Sequence, residues 1–358
     1  MSKKTKLTLI SIIACIGILF ILNSTLGSYQ LRILNLCGIY VILALSLNLI
    51  NGFVGLFSLG HAGFMAIGAY TSALLTMPPE AKEMNFFLKP IVPWLANVQL
   101  SFPIALFMAG VLAAGAGVLI GAPVLRLKDD YLAIATLGFS EIIRVIFTNT
   151  QSITNGALGI KGLPYIGIFN KASEAIWWTW GVAIITIIFM ALLINGSYGR
   201  AFKAIREDEI AAEAMGINLF KHKLMAFVIG SFFAGIGGAL LGHLMGTIDP
   251  LMFRFLLTFN IVLIVVLGGI GSITGSVISA VIVTIAMEAL RVLDGDMQIG
   301  SYIIKGIPGT RMVVFSALLM IVIIFYQRGI MGTNEFTWDW ILKRQKKISE
   351  PLNKEKVS

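Results

Sequence analysis

The chain has 358 residues, of which 57% are hydrophobic and only 13% charged, and its mean hydropathy is +0.90. Soluble domains carry about a quarter charged residues, so this composition excludes an ordinary water-soluble fold and points to a bilayer as solvent. The net charge of +9 does not signal nucleic acid, because the basic residues lie between long apolar runs, as membrane topology demands.

Lys3, Lys4 and Lys6 lead into an apolar run that has the outline of a signal peptide. The segment after Asn23 (Ser24-Thr25-Leu26-Gly27) is only a fair cleavage site, and more apolar segments follow, so the run reads as an uncleaved first helix. A spanning helix needs roughly 20 apolar residues. Ten segments qualify: 7–26, 31–50, 58–76, 101–124, 131–149, 176–195, 224–246, 255–270, 275–293 and 311–328. The third, fifth, eighth and ninth carry the weakest signal, which sets a range of eight to ten. Backbone groups in lipid must be satisfied within a segment, and no stretch alternates as a membrane barrel would. The expected fold is therefore all-α, a polytopic bundle of about ten transmembrane helices. Cys15 and Cys37 sit inside apolar runs and match no metal or redox spacing.

Placing the N-terminus in the cytoplasm and alternating puts most basic residues inside. They are Lys3, Lys4 and Lys6, Arg126 and Lys128, the group from Arg200 to Lys223, and the tail from Arg328 to Lys356. Both termini are then cytoplasmic. Trp177, Trp178 and Trp180 begin the sixth span at the outer interface, where indole rings prefer to sit. Residues 1–330 form the membrane domain, with 196–223 as its main cytoplasmic loop. Residues 331–358, with Trp338 and Trp340 before Lys343-Arg344-Gln345-Lys346-Lys347, form an interfacial and cytoplasmic basic tail.

Small residues recur every fourth position at Ala109, Ala113, Gly117 and Gly121, and again at Ala234, Gly238, Gly242 and Gly246. Such stripes predict close helix packing in lipid. Glu141/Arg144 and Glu288/Arg291 are spaced to close on one helix face, and their mutual neutralisation near helix ends reads as structural. The two surrounding pentapeptides echo each other too briefly to establish a repeat.

The loop from Gly199 to Asn218 is too long for a simple turn. Its acids Glu207, Asp208 and Glu209 suit a helix start, and Gly216 suits the end. Ile210, Ala211, Ala214 and Met215 then share an apolar face. A groove on a partner protein and the lipid headgroups are the two surfaces such a helix can meet. Three consecutive acids favour the partner over an anionic leaflet.

The stretch AIREDEIAAEAMGIN within this loop resembles the cytoplasmic coupling loop of ATP-binding-cassette importer permeases, in the form found in branched-chain amino acid permeases. Four further stretches resemble the same family, in the same order: Leu47–Gly52 through Ser58–Phe64, Arg126–Phe139, Asn155–Ile160 and Val265–Ser272. The Arg126–Phe139 stretch is similar to the LivM-type side of the family. The resemblance implies a bacterial inner-membrane permease subunit for branched-chain amino acids. It also implies a LivH-type permease partner, two ATPase subunits and an extracytoplasmic binding protein. It makes Arg206, Glu207, Asp208, Glu209, Ala212, Glu213 and Gly216 the coupling residues. The Glu-Ala-Ala consensus of other such permeases is only loosely met by Glu213-Ala214-Met215. Very similar permeases serve urea and short amides, and a self-sufficient secondary transporter is a rival from another class.

No lysine follows a glycine, so the chain has no phosphate-binding P-loop, and ATP with magnesium belongs to separate chains. No cofactor or metal is expected here. Gly52, Gly55, Gly60 and Gly63 suggest a helix unwound in the membrane, with Asn48, Asn51, Ser58 and His61 as nearby polar groups. These residues are expected to line a translocation path or, alternatively, to pack closely around a turn. Ser58 and His61 stand one helical turn apart but lack the pattern of an intramembrane serine protease. The external, glycine-rich segment with Asn155, Gly156, Gly159 and Lys161 is expected to dock the binding protein or to be an ordered surface loop.

Overall fold

The computed structural model describes residues 17–127, 129–167, 174–294, 297–299, 302–304, 309–325, 329–332 and 335. Residues 7–16 of the first predicted span and most of the basic tail, with Trp338 and Trp340, lie outside the described residues. Residues 17–25 are helical. The main helices follow as α1 (Ser28–Asn48), α2 (His61–Thr76), α3 (Pro79–Asn85), α4 (Phe102–Val124), α5 (Asp129–Asn149) and α6 (Ala175–Asn195). Next come α7 (Ser197–Glu207), α8 (Glu209–Ala214), α9 (Leu219–Met245), α10 (Phe255–Gly268), α11 (Ile273–Ala289) and α12 (Thr310–Phe325).

Among the described residues, five helical segments are long and apolar enough to cross a membrane: Ser28–Phe53, Phe102–Val124, Tyr131–Asn149, Ala175–Asn195 and Leu219–Met245. Helices α10 and α11 are apolar but shorter. Short antiparallel ribbons join the connections. Strand β1 (Ile160–Lys161) pairs with β2 (Thr247–Ile248), and β3 (Met297–Ile299) with β4 (Tyr302–Ile304). They satisfy backbone groups that the loops would otherwise leave open.

The centre of the bundle is a triad of α2, α4 and α9, with α1 packed between α9, α11, α6 and α10. The small-residue stripes explain the triad. Gly235 rests against Ala109 and Ala113, Gly117 against Ser231, and Gly121 against Phe227. On the other side of α9, Gly68 meets the backbone of Gly235, and Gly238 meets the backbone of Met65. Side chains there would hold these backbones apart. Gly246 departs from its predicted packing role. It adopts φ +70 and closes α9 as a left-handed cap, with no neighbour at the position of a side chain.

Helices α4, α5 and α6 turn long apolar faces outward, including Phe107, Leu119, Ile134, Ile185 and Leu192. Lipid or a partner subunit suits such faces, and water does not. Both predicted ion pairs close: Arg144 donates to Glu141, and Arg291 Nη1 donates to Glu288 Oε1 at 2.9 Å.

Candidate functional site

Helix α1 does not end cleanly. Its last turn widens into a π-helix, Leu49–Phe53, and the chain runs without regular structure from Gly55 to Gly60 before α2 begins. The ends of α1 and α2 therefore meet deep in the bundle, where orphan backbone groups need partners. Side chains from other helices supply them. Thr136 Oγ1 accepts from Leu59 N–H at 3.0 Å, and Thr258 Oγ1 accepts from Ala62 N–H at 2.9 Å.

Asn48, Asn51, Ser58 and His61 all gather at this break. Asn48 is fully buried and spends its amide on the turn between α10 and α11. Its Nδ2 donates to Ser272 O at 2.9 Å and Ser276 Oγ at 2.8 Å, while its Oδ1 accepts from Gly271 N–H at 2.9 Å. Asn51 brackets Ser58, accepting from its N–H at 3.2 Å and donating to its carbonyl at 3.4 Å. His61 Nε2 lies 2.8 Å from Ser46 Oγ. Ser58 bonds Asn51 and Gly60 instead, and no hydrogen bond joins it to His61, so the structure builds no Ser58–His61 dyad. Gly60 lies so close to the Thr136 carbonyl that a Cβ would stand 2.7 Å from it. Gly55 takes φ +84 and packs on Arg206.

Arg206 links this break to the next feature. It sits in the last turn of α7, and its Nη1 donates to Gly52 O at 2.9 Å. Its Nη2 pairs with Glu207 Oε1 at 2.9 Å. A Cβ on Gly271, which takes φ +83, would stand 2.5 Å from Arg206 Nη1. One guanidinium thus touches both the α1–α2 break and the α10–α11 turn.

The predicted helix of the loop is shorter than expected, and a second helix precedes it. Asp208 turns extended (φ −159), separates α7 from α8, and accepts from Ala211 N–H at 3.0 Å as the N-cap. Gly216 takes φ +84 after the helix ends. Ala212 is buried, and Glu209 is tied to Lys223 Nζ at 2.6 Å. Glu207 and Glu213 are exposed. Of the predicted apolar face, Ile210 is 82% and Met215 83% exposed, with Ala211 and Ala214 exposed between them. Arg206 and Glu209 therefore anchor the segment, and the remaining residues display it.

At the opposite end of the bundle, Asn155 adopts a left-handed conformation (φ 59), and its Nδ2 donates to Gly159 O at 2.6 Å. Asn155, Gly156 and Gly159 are buried, and only Lys161 of the four presents its side chain. Asn85 holds the Lys161 backbone by two hydrogen bonds, and these residues line a cavity of about 460 Å³ with Phe87 and Leu158. Nearby, Lys82 is buried, with Nζ donating to Leu95 O at 2.9 Å and Val98 O at 2.5 Å. Burial pushes its pKa below the ordinary lysine value.

Sequence reasoning did not single out Ser46, Thr136, Thr258, Ser272 and Ser276. Small hydroxyl residues inside apolar runs were the available signal, since they serve as interhelical donors and acceptors in lipid. Among the described residues no cluster could hold a metal ion.

The family described as the branched-chain amino acid transport system permease component matches residues 29–327. The chain is 36% identical over 280 residues to the high-affinity branched-chain amino acid transport system permease protein LivM of Escherichia coli, covering 71% of this chain and 61% of that protein. The chain thus spans less than two thirds of the length of that relative. It is 29% identical over 317 residues to a probable LivM of Methanocaldococcus jannaschii, covering 82% of this chain and 90% of the other. It is 27% identical over 307 residues to LivH of Salmonella typhimurium, covering 83% and 92%. By these matches the chain belongs to the branched-chain amino acid transport system permease family.

Proposed function

We propose that this chain is a membrane-spanning permease subunit of an ATP-driven importer for branched-chain amino acids. It has eight to ten spans and cytoplasmic termini, in the bacterial inner membrane. The relatives' names supply the substrate class, and the chemistry of ATP lies on two partner ATPases rather than here. A LivH-type permease completes the path, and an extracytoplasmic binding protein delivers the amino acid to the side bearing Lys161. Glu207, Asp208, Glu213 and Gly216 shape the surface that meets an ATPase.

The observation that carries this reading is the displayed face of α8. Ile210 and Met215 stand in solvent beside exposed acids, on a segment locked to the bundle through Arg206 and Glu209. An exposed apolar pair on a rigid base suits a groove on another protein. ATPase closure then moves α7 and α8, and Arg206 passes that motion to the break at Gly52 and the turn at Gly271. Asn48, Asn51, Gly55, Ser58, Gly60 and His61 serve as the hinge beside the path, since their polar groups already find partners within the chain.

The test is purification of the tagged full chain in mild detergent, followed by identification of its companions. Two ATPases and a homologous permease are the expected result. The triple variant Glu207→Ala, Asp208→Ala, Glu209→Ala should leave ATP hydrolysis running while uptake falls. Uptake by the chain alone in liposomes, driven by an ion gradient, would instead establish a secondary transporter. Uptake of urea or short amides in place of leucine by the assembled complex would move the substrate to that sister class.

A further inference from the structure

The end of the bundle opposite α8 holds a cavity of about 530 Å³ between α1, the C-terminal end of α9 and the start of α6. Asn35 lines it and is only 3% exposed. Its Oδ1 is buried and makes no hydrogen bond with any described residue. A buried amide without a partner is uncommon, and it marks a place where something polar is meant to arrive. Arg32 stands one turn away on α1 and lines the same cavity. Its only hydrogen-bond partner among the described residues is the Met245 thioether, at 3.3 Å. Glu288 and Asp294 line a neighbouring cavity with Arg32, and Glu288 is held by the Tyr29 hydroxyl and by Arg291 Nη1. Ser28, the first residue of a 21-residue helix, also borders the space, so one positive helix end faces it, while Ala175 borders it behind the Glu174 carboxylate at the start of α6. Leu31, Ile166 and Leu244 supply apolar wall.

We infer that this cavity binds an α-amino acid as its zwitterion, with a branched aliphatic side chain. Arg32 and the N-terminal end of α1 take the carboxylate. A rotation of the Asn35 amide toward the cavity brings its buried Oδ1 to accept from the ammonium group. Leu31, Ile166 and Leu244 cover the side chain. The buried His243 ring forms one wall, fixed by Thr76 Oγ1 at 2.9 Å and Ala239 O at 2.9 Å. The site is an entry station for solute before the α1–α2 break. It rests on the permease reading above.

Two measurements test it. The first is scintillation-proximity binding of radiolabelled L-leucine to the purified full chain in lipid nanodiscs, with isoamylamine and 4-methylpentanoate as competitors. Wild type should bind saturably, and neither competitor, each lacking one charged group, should displace leucine as well as leucine itself. Asn35→Leu and Arg32→Gln should each weaken binding about tenfold or more. Asn35→Leu should also hold or raise the thermal midpoint, because it removes an unpaired buried amide. A merely structural Asn35 would lower it. The second is leucine uptake by the assembled transporter. Uptake that both variants leave at the wild-type level, or absence of saturable binding by wild type, overturns the site while the permease reading stands. Failure of the wild-type assembly to import any branched-chain amino acid overturns the permease reading itself.

Discussion

Arg206 concentrates more connections than any other residue of the α7–α8 segment. Its guanidinium bonds the Gly52 carbonyl and presses on Gly271, while its stem packs on Gly55. A charge-assisted bond to a carbonyl is worth about 1.5–3 kcal/mol when both groups are partly shielded from water. Arg206→Met keeps the stem and deletes the bond. Leucine uptake by the assembled complex should fall about tenfold, the factor that ~1.4 kcal/mol represents, with ATP hydrolysis largely retained. Gly271→Ala should reproduce that phenotype. It places a side chain at φ +83 and pushes the guanidinium aside. Uptake and hydrolysis measured on the same preparations check both, and normal uptake in both variants would remove Arg206 from the transmission route. Asn48 offers a structural counterpart. Asn48→Leu leaves the partly buried Gly271 N–H unpaired and removes the donor to Ser272 O and Ser276 Oγ, which keep the bond between them. A loss of about 2–4 kcal/mol is expected, read as a lower thermal midpoint in detergent. Asn48 was legible in the sequence as a polar residue at the end of an apolar run. Its partners were not, because they lie more than 200 positions away and only the fold brings them near.

At the scale of the element, α8 is six residues long and depends on its cap. Asp208 accepts from Ala211 N–H, so Asp208→Ala should cost about 1 kcal/mol of local helix stability. Hydrogen exchange of the 209–214 amides would show it as faster opening without global unfolding. The displayed face behaves differently. Ile210→Asp with Met215→Asp touches nothing inside the chain, so the thermal midpoint should stay put while the ATPases no longer copurify. Loss of stability with retained ATPases would mean that this face packs on the bundle instead. The helix between an acidic start and a glycine end was readable from residue types alone. The separate α7 was not, because the extended backbone at Asp208 divides what looks like one amphipathic run. The π-turn at Leu49–Phe53 was also hidden. Its sequence obeys the same hydrophobic pattern as the α-helix before it, and the wider hydrogen-bonding ring is set by packing against α9 and α7. The predicted docking loop shows a third kind of gap. Asn155, Gly156 and Gly159 are buried where they shape the backbone, so residue type marked a turn-forming loop but not the side chains it displays.

For the whole molecule, the question is which glycines hold the bundle together and which face lipid or a partner. Helix α9 answers it on its inner side, where Gly238 lies on the Met65 backbone. A methyl group there meets rigid main chain on α2, which cannot move without shifting the triad of α2, α4 and α9. Gly238→Ala should therefore cost about 1–3 kcal/mol through overpacking, more than offsetting the gain of up to ~1 kcal/mol in helix propensity. Gly115 on α4 is the contrast. It is exposed, has nothing within 4 Å of its Cβ position, and stands two residues from the packed Gly117. Gly115→Ala should keep only the propensity gain and raise the thermal midpoint slightly. Thermal unfolding of the two purified variants in the same detergent decides the matter, because the opposite signs cannot both arise from glycine's backbone freedom. The spacing of small residues identified both helices as close-packing ones, yet periodicity does not say which side of a helix its partner occupies. That distinction follows from the crowding of α9 between α2 and α4, which leaves the outward faces of α4, α5 and α6 apolar and uncovered. If Gly115→Ala stabilises the isolated chain but lowers the yield of the assembled complex, the same open face of α4 is where another subunit rests.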